Sequence, residues 1–237
     1  MLKDHDFKFI KDKKLRILYQ TVWAHLDYID NLSSITELDN YHTLFKAYKN
    51  GYTSNHKMFK SLLKTHMLYP DIFLDWLPVY IESKSSYLEK KHIKDLDDLY
   101  NFSKLTSKFG LLLLITDKLA KQHLNFINTI SKVDVIGKLL GNDKELMSLQ
   151  KTYFPTRLIE DFGIEQSLDD IFMKNEKYIA LWEYLHFKVQ GFMKEIEIML
   201  IQFNDIEVHL ITTYIERIKT DLKIRRDILI KYIKTRS

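Results

Sequence analysis

The sequence contains no cysteine, which excludes disulfides, thiolate-ligated zinc and thiol nucleophiles. The absence fits a reducing compartment. Proline and glycine are scarce, 3 and 6 among 237 residues, so few positions break helices and long helices are expected. No stretch rich in Pro, Gly or Ser divides the chain, and a single domain over residues 1–237 is the expectation. Long apolar runs are missing too. The longest, Leu111 to Ile115, falls far short of the ~20 residues that span a bilayer, and the charged start Met1 to Asp6 leads into no signal-type apolar core. The expectation is a soluble, cytoplasmic protein that can still associate with a membrane peripherally. Charge of one sign is also limited: 36 basic residues face 32 acidic ones, for a net charge of +4. That balance gives no ground for a nucleic-acid partner. The chain has no P-loop, dinucleotide fingerprint, His-x-x-x-His pair, serine-hydrolase elbow or internal repeat.

What is present is apolar periodicity. Hydrophobic residues make up 46% of the chain, enough for a sizeable core. Leu15, Leu18, Val22, Leu26 and Ile29 recur at three- and four-residue steps behind Asp12, predicting a capped helix over about 12–32. Further helices are predicted over 34–48, ending at Asn50-Gly51, and over 55–68. Another starts at about 71, with Pro78 kinking or dividing it. A fifth starts near the acidic run Lys94 to Asp98. Gly110 to Pro155 reads as a long central wall, with Leu111, Leu114, Leu119, Phe126, Ile130 and Val133 on its stripe and Asp134 off it. A short helix closed by Gly163 follows. The next covers about 175–203, with Ile179, Trp182, Leu185, Phe187, Val189, Phe192, Ile196 and Met199 buried. The last carries Val208, Ile211, Ile215, Ile218, Leu222 and Leu229 near heptad spacing. The pattern is that of an all-α protein.

Several residues have the chemistry of a site. Asp27 and Asp30 are one turn apart, so their carboxylates share a face. They read either as a metal or diphosphate site or as a solvated helix edge. Asn142, Asp143 and Glu145 offer oxygen ligands of the kind Mg²⁺ takes, or simply form a turn. Tyr100 and Lys104 share a helical face and either hold an anionic group or form a surface aromatic–lysine pair. His25 and His186 border apolar stripes and read either as satisfied core or boundary histidines or as ligands. At the carboxyl end Lys219, Lys223, Arg225, Arg226, Lys231, Lys234 and Arg236 outnumber Asp221 and Asp227. This basic helix suits an anionic lipid surface or an acidic partner, or is a solvated face.

Taken in order, some segments resemble the squalene/phytoene synthases, which condense isoprenyl diphosphates head to head. Thr152-Tyr-Phe-Pro155 and Phe162-Gly-Ile164 look like the family's Tyr-x-Pro and Phe-Gly segments. Asp98 to Lys104 with Gly110-Leu-Leu is similar to its Asp-Leu-Tyr-x-Tyr-Cys-Tyr segment and the glycine after it. Tyr178 to Tyr184 and Tyr214 to Ile218 sit where the family has its last long helices. The resemblance covers about 11–219. It implies an all-α isoprenoid-synthase fold around a central cavity, with two aspartate-rich motifs holding Mg²⁺ against the substrate diphosphate. The metal stabilises charge on the leaving oxygens.

The departures from that pattern fall on the motifs themselves. The first Asp-x-x-x-Asp aligns with Ile29 and Ser33, leaving Asp30 between them; the second aligns with Asn142 and Leu146. Lys138, Gly141 and Lys151 replace an Asn and two Arg. Leu105 to Lys108 stands where the family has a small-residue Val-Ala-Gly segment. The expectation is a catalytically silent or strongly diverged member that needs no cofactor and serves as a binding or assembly factor. Synthase-like proteins of respiratory complex I assembly are a precedent, and a protein partner or a bound isoprenoid or other lipid is implied. The alternative is an active, Mg²⁺-dependent prenyltransferase. It would use Asp27, Asp30, Asn142, Asp143 and Glu145 at the metal, Lys104 and Lys151 on phosphate oxygens, and Tyr100 or Tyr153 near the reacting carbons.

Overall fold

Helix signals in the sequence become helices with caps. A computed structural model describes residues 2–52, 56–70, 76–89, 93–103, 107–116, 124–141, 154–164 and 176–234. Within these residues every regular element is helical. The helices are α1 (Lys13–Asp30), α2 (Ile35–Lys49), α3 (Lys57–Leu68), α4 (Trp76–Glu89), α5 (Leu96–Ser103), α6 (Lys108–Thr116), α7 (Leu124–Gly141), α8 (Thr156–Asp161), α9 (Glu176–Met199) and α10 (Asp205–Lys234). Asp12 caps α1 by accepting from the backbone N–H groups of Lys14 and Leu15. Ser34 and Glu37 form a reciprocal capping box on α2, and Asn204 with Glu207 does the same for α10. Among the described residues no helix is long and apolar enough to cross a membrane.

The chain forms two compact units that alternate along the sequence. One comprises 2–89 and 105–127, the other 90–104 and 128–237. The chain passes between them three times rather than at one linker, so composition leaves no mark of the division. In the first unit α1 is the hub, packing on α3, α4, α6 and the amino-terminal 3₁₀ turn Asp4–Phe7. Its stripe Leu18, Val22, Leu26 and Ile29 is buried as the spacing predicted. α6 is buried nearly all round, through Phe109, Leu111, Leu112, Leu113 and Ile115, as expected of a helix with no polar face.

In the second unit α9 buries Tyr178, Leu181, Trp182, Leu185, Val189, Met193 and Ile196. The indole N–H of Trp182 donates to the Leu140 carbonyl of α7 at 3.4 Å. The backbone N–H groups of Thr156 and Arg157 donate to the carbonyls of Ile93 and Lys94, tying α8 to the lead-in of α5. Gly163, at φ +63, ends α8. Its N–H donates to the Glu160 carbonyl and that of Ile164 to the Ile159 carbonyl, a left-handed helix stop that favours glycine.

Within the stretch from Gly110 to Pro155 the described helices are α6 and α7; residues 117–123 and 142–153 of it lie outside the described residues. Pro78 lies near the start of α4 as described, from Trp76, and residues 71–75, where the expected helix begins, lie outside the described residues. Phe187 lies off the buried face of α9 and is 73% exposed.

Candidate functional site: an ammonium among the acids of α1

Asp27 and Asp30 occupy the last turn of α1, and Trp23 precedes Asp27 by four residues on the same face. Carboxylates are disfavoured at this end of a helix, where the backbone dipole is negative. What offsets them is Lys108, the first residue of α6. Ser107 starts that helix, its hydroxyl oxygen accepting from the Gly110 N–H at 3.1 Å. A lysine at a helix start meets the positive end of the dipole, so Lys108 too is misplaced within its own helix. The two misplaced charges meet. Lys108 Nζ is 2.6 Å from Asp27 Oδ1 and 3.5 Å from Asp30 Oδ2, with only 2% of its side chain exposed. The same ammonium lies 4.6 Å from the centroid of the Trp23 ring, a cation–π contact.

The remaining oxygens have donors as well. The Tyr80 hydroxyl of α4 donates to Asp30 Oδ1 at 3.3 Å, and Lys84 Nζ donates to the Asp30 carbonyl at 2.7 Å. Asn31 Nδ2 donates to the Asp27 carbonyl at 2.8 Å and reaches Asp27 Oδ2 at 3.4 Å. Each of the four carboxylate oxygens therefore faces a donor from the protein itself. A divalent metal needs several of these oxygens as ligands in place of its water, and here a tethered cation already engages both carboxylates. As described, both carboxylates of Asp27 and Asp30 are engaged by donors of the protein itself. Among the described residues no group of three or more His, Cys, Asp or Glu is gathered to hold a metal ion.

In the second unit Asp134 of α7 and Glu207 of α10 are buried carboxylates. The buried Tyr214 of α10 donates its hydroxyl to Asp134 Oδ1, and Lys138, one turn further along α7, lies 3.8 Å from Oδ2. The sequence pattern put Asp134 off the buried stripe, yet it is inside. Tyr100 of α5 is half-buried, edge-on to Phe192 at 5.7 Å. Lys132 Nζ lies 5.1 Å and 5.0 Å from these two rings. Burial, with smaller contributions from Tyr184 and Asp97, pushes the Tyr100 phenol up to about 12, so it is a neutral donor at ordinary pH. Lys104, Asn142, Asp143, Glu145, Lys151 and Tyr153 lie outside the described residues.

His25 is the buried histidine of the first unit. Its Nδ1 is 2.6 Å from the Tyr41 hydroxyl and its Nε2 is 3.1 Å from the Met58 carbonyl. Burial lowers its pKa from 6.5 to about 4. It is a core residue, one of the two readings the sequence allowed. Lys108 as a partner for the acids went unread in the sequence. The signal was available: Lys108 is the only charge on Lys108–Thr116, and a charge on a wholly apolar helix must find a counter-charge.

No family model and no curated protein sequence matches the chain. Solved structures do. The squalene synthase HpnC of Alicyclobacillus acidocaldarius superposes with a TM-score of 0.76 at 16% identity, over 95% of this chain and 88% of that one. A dehydrosqualene synthase in complex with ligand superposes with a TM-score of 0.70 at 14% identity, over 98% and 96%. The chain has the all-α fold of the squalene/phytoene synthases across nearly its whole length.

Proposed function

We propose that this protein is a catalytically silent relative of the squalene/phytoene synthases, using the fold as a binding or assembly scaffold. The observation that carries the reading is Lys108 Nζ between Asp27 and Asp30, at 2.6 and 3.5 Å and almost wholly buried. Departure of an allylic diphosphate leaves charge on several phosphate oxygens at once, and multivalent cations are the groups that stabilise it. A single ammonium anchored between two aspartates has its charge already engaged, and it blocks those aspartates from recruiting metal. Loss of both aspartate pairs from the aligned motif positions supports the same conclusion from sequence.

The competing reading is an active, Mg²⁺-dependent prenyltransferase, and it draws support from the synthase names of the two superposed structures. The deciding experiment incubates the purified full chain with Mg²⁺ and farnesyl or geranylgeranyl diphosphate and follows diphosphate release. No turnover is expected. Release at about 1 s⁻¹ or faster, the ordinary enzymatic range, overturns the silent scaffold in favour of the prenyltransferase.

A further inference from the structure

The chain's charge is unevenly distributed. Between Asn40 and Pro70 there is no Asp or Glu, the longest such gap in the sequence, while Lys46, Lys49, Lys57, Lys60 and Lys64 all fall inside it. With histidines neutral these five positive charges exceed the whole chain's +4, so the remaining residues sum to one negative charge. The basic carboxyl-terminal helix is different: its cations are interleaved with acids. There Lys219 bonds to Glu216 and Glu197, and Arg226 to Glu183.

α3 lies at the centre of the acid-free stretch and is amphipathic in an unusual way. Its inner face, Phe59, Leu62 and Thr65, is buried. Thr65 bonds to Thr21 of α1 at 3.0 Å, and the Met58 carbonyl meets His25. Its outer face carries Lys57, Lys60 and Lys64, all exposed. Among them stand three exposed apolar side chains, Leu63, Leu68 and Met67, the last 77% exposed. Lys60, Leu63, Lys64 and Met67 follow i, i+3, i+4, i+7 spacing and so form one stripe. The contact between the Tyr48 hydroxyl and His66 Nδ1 at 3.0 Å joins the basic end of α2 to this helix, and Tyr52, just beyond α2, is 70% exposed.

We propose that the outer face of α3 docks onto an anionic lipid bilayer. Lysine alone would suit any polyanion, but exposed leucine and methionine between the lysines would gain nothing against a phosphate backbone. A bilayer interface offers both chemistries at different depths. Ammonium groups stay among the headgroups on their flexible stems, while Leu63, Met67 and Leu68 enter the acyl boundary. The missing acids remove the repulsion that such a surface would otherwise exert. This inference is independent of the role given to Lys108.

The test is co-sedimentation of the full chain with vesicles of phosphatidylcholine alone and of phosphatidylcholine with phosphatidylglycerol, at low and high salt. Binding is expected only to the anionic vesicles, weakening as salt rises. Each lysine near such a surface is worth about fivefold in partitioning, so a Lys57→Ala, Lys60→Ala, Lys64→Ala variant should bind about a hundredfold more weakly. Met67→Ser with Leu68→Ser should also weaken binding, with an unchanged slope against salt. Lys223→Ala, at an exposed lysine of the carboxyl-terminal helix, should bind like the parent. All these side chains are exposed, and circular dichroism of each variant should match the parent. Equal binding to neutral vesicles, full binding by the triple variant, or no vesicle binding alongside lysine-dependent capture of DNA or polyglutamate would each overturn the proposal. None of these readouts involves diphosphate turnover, so the proposal and the silent-scaffold reading fail separately.

Discussion

The acids of α1 and the acid of α7 solve the same problem in different ways. Asp27 and Asp30 are partly exposed, 44% and 21%, and their counter-charge is a lysine only 2% exposed that comes 81 residues after Asp27 along the chain. Asp134 is itself the buried partner, held by the Tyr214 hydroxyl, with Lys138 of its own helix nearby. In the first case the group that most needs its partners is the ammonium; in the second it is the carboxylate. Which side of a pair is desolvated decides which substitution does damage.

That asymmetry can be broken from either side. Asp27→Asn with Asp30→Asn strips the carboxylates from a buried ammonium and should cost about 3–5 kcal/mol in urea unfolding. Lys108→Met leaves carboxylates that water can reach and should cost no more than about 1–2 kcal/mol. If the lysine variant proves the more damaging of the two, the assignment of the buried partner is wrong.

A pH titration of stability extends the contrast to His25. Its folded pKa of about 4 lies below the unfolded 6.5, so between these values the unfolded chain takes up a proton that the folded one refuses. Stability from this group is complete above about pH 6.5 and declines as pH falls towards 4, by roughly 3 kcal/mol in all. In His25→Gln, that part of the acid-limb slope should vanish. A smaller effect belongs to the second unit. Tyr214→Phe removes a donor from buried Asp134 and should cost about 2 kcal/mol. Tyr214→Phe and Asp134→Asn should combine non-additively in a double-mutant cycle. Smallest is Gly163→Ala, which forces a side chain onto φ +63 and should cost about 1 kcal/mol without altering either charge site.

Much of the fold was legible because it rests on local rules. Asp12, Ser34 and Gly163 mark helix ends through hydrogen bonds that close within a few residues, and the stripe of α1 follows from 3.6-residue periodicity. The resemblance to the squalene/phytoene synthases rested on order and spacing, and the superposed structures support it at the level of fold. Phe187 misled because periodicity counts apolar residues without knowing which face another helix covers. Asp134 misled in the opposite sense, since its polarity argued for the surface while Tyr214, 80 residues away, made burial affordable.

The residues alone determined the all-α class, the capped ends of the helices and the acid-free lysine stretch, since each depends on identity and spacing. Tertiary packing decided what the acids of α1 do. Only the approach of α6 to the end of α1 places the Lys108 ammonium between Asp27 and Asp30. Coulomb energy at that range depends on distance and desolvation, and neither quantity is written in the order of residues along the chain.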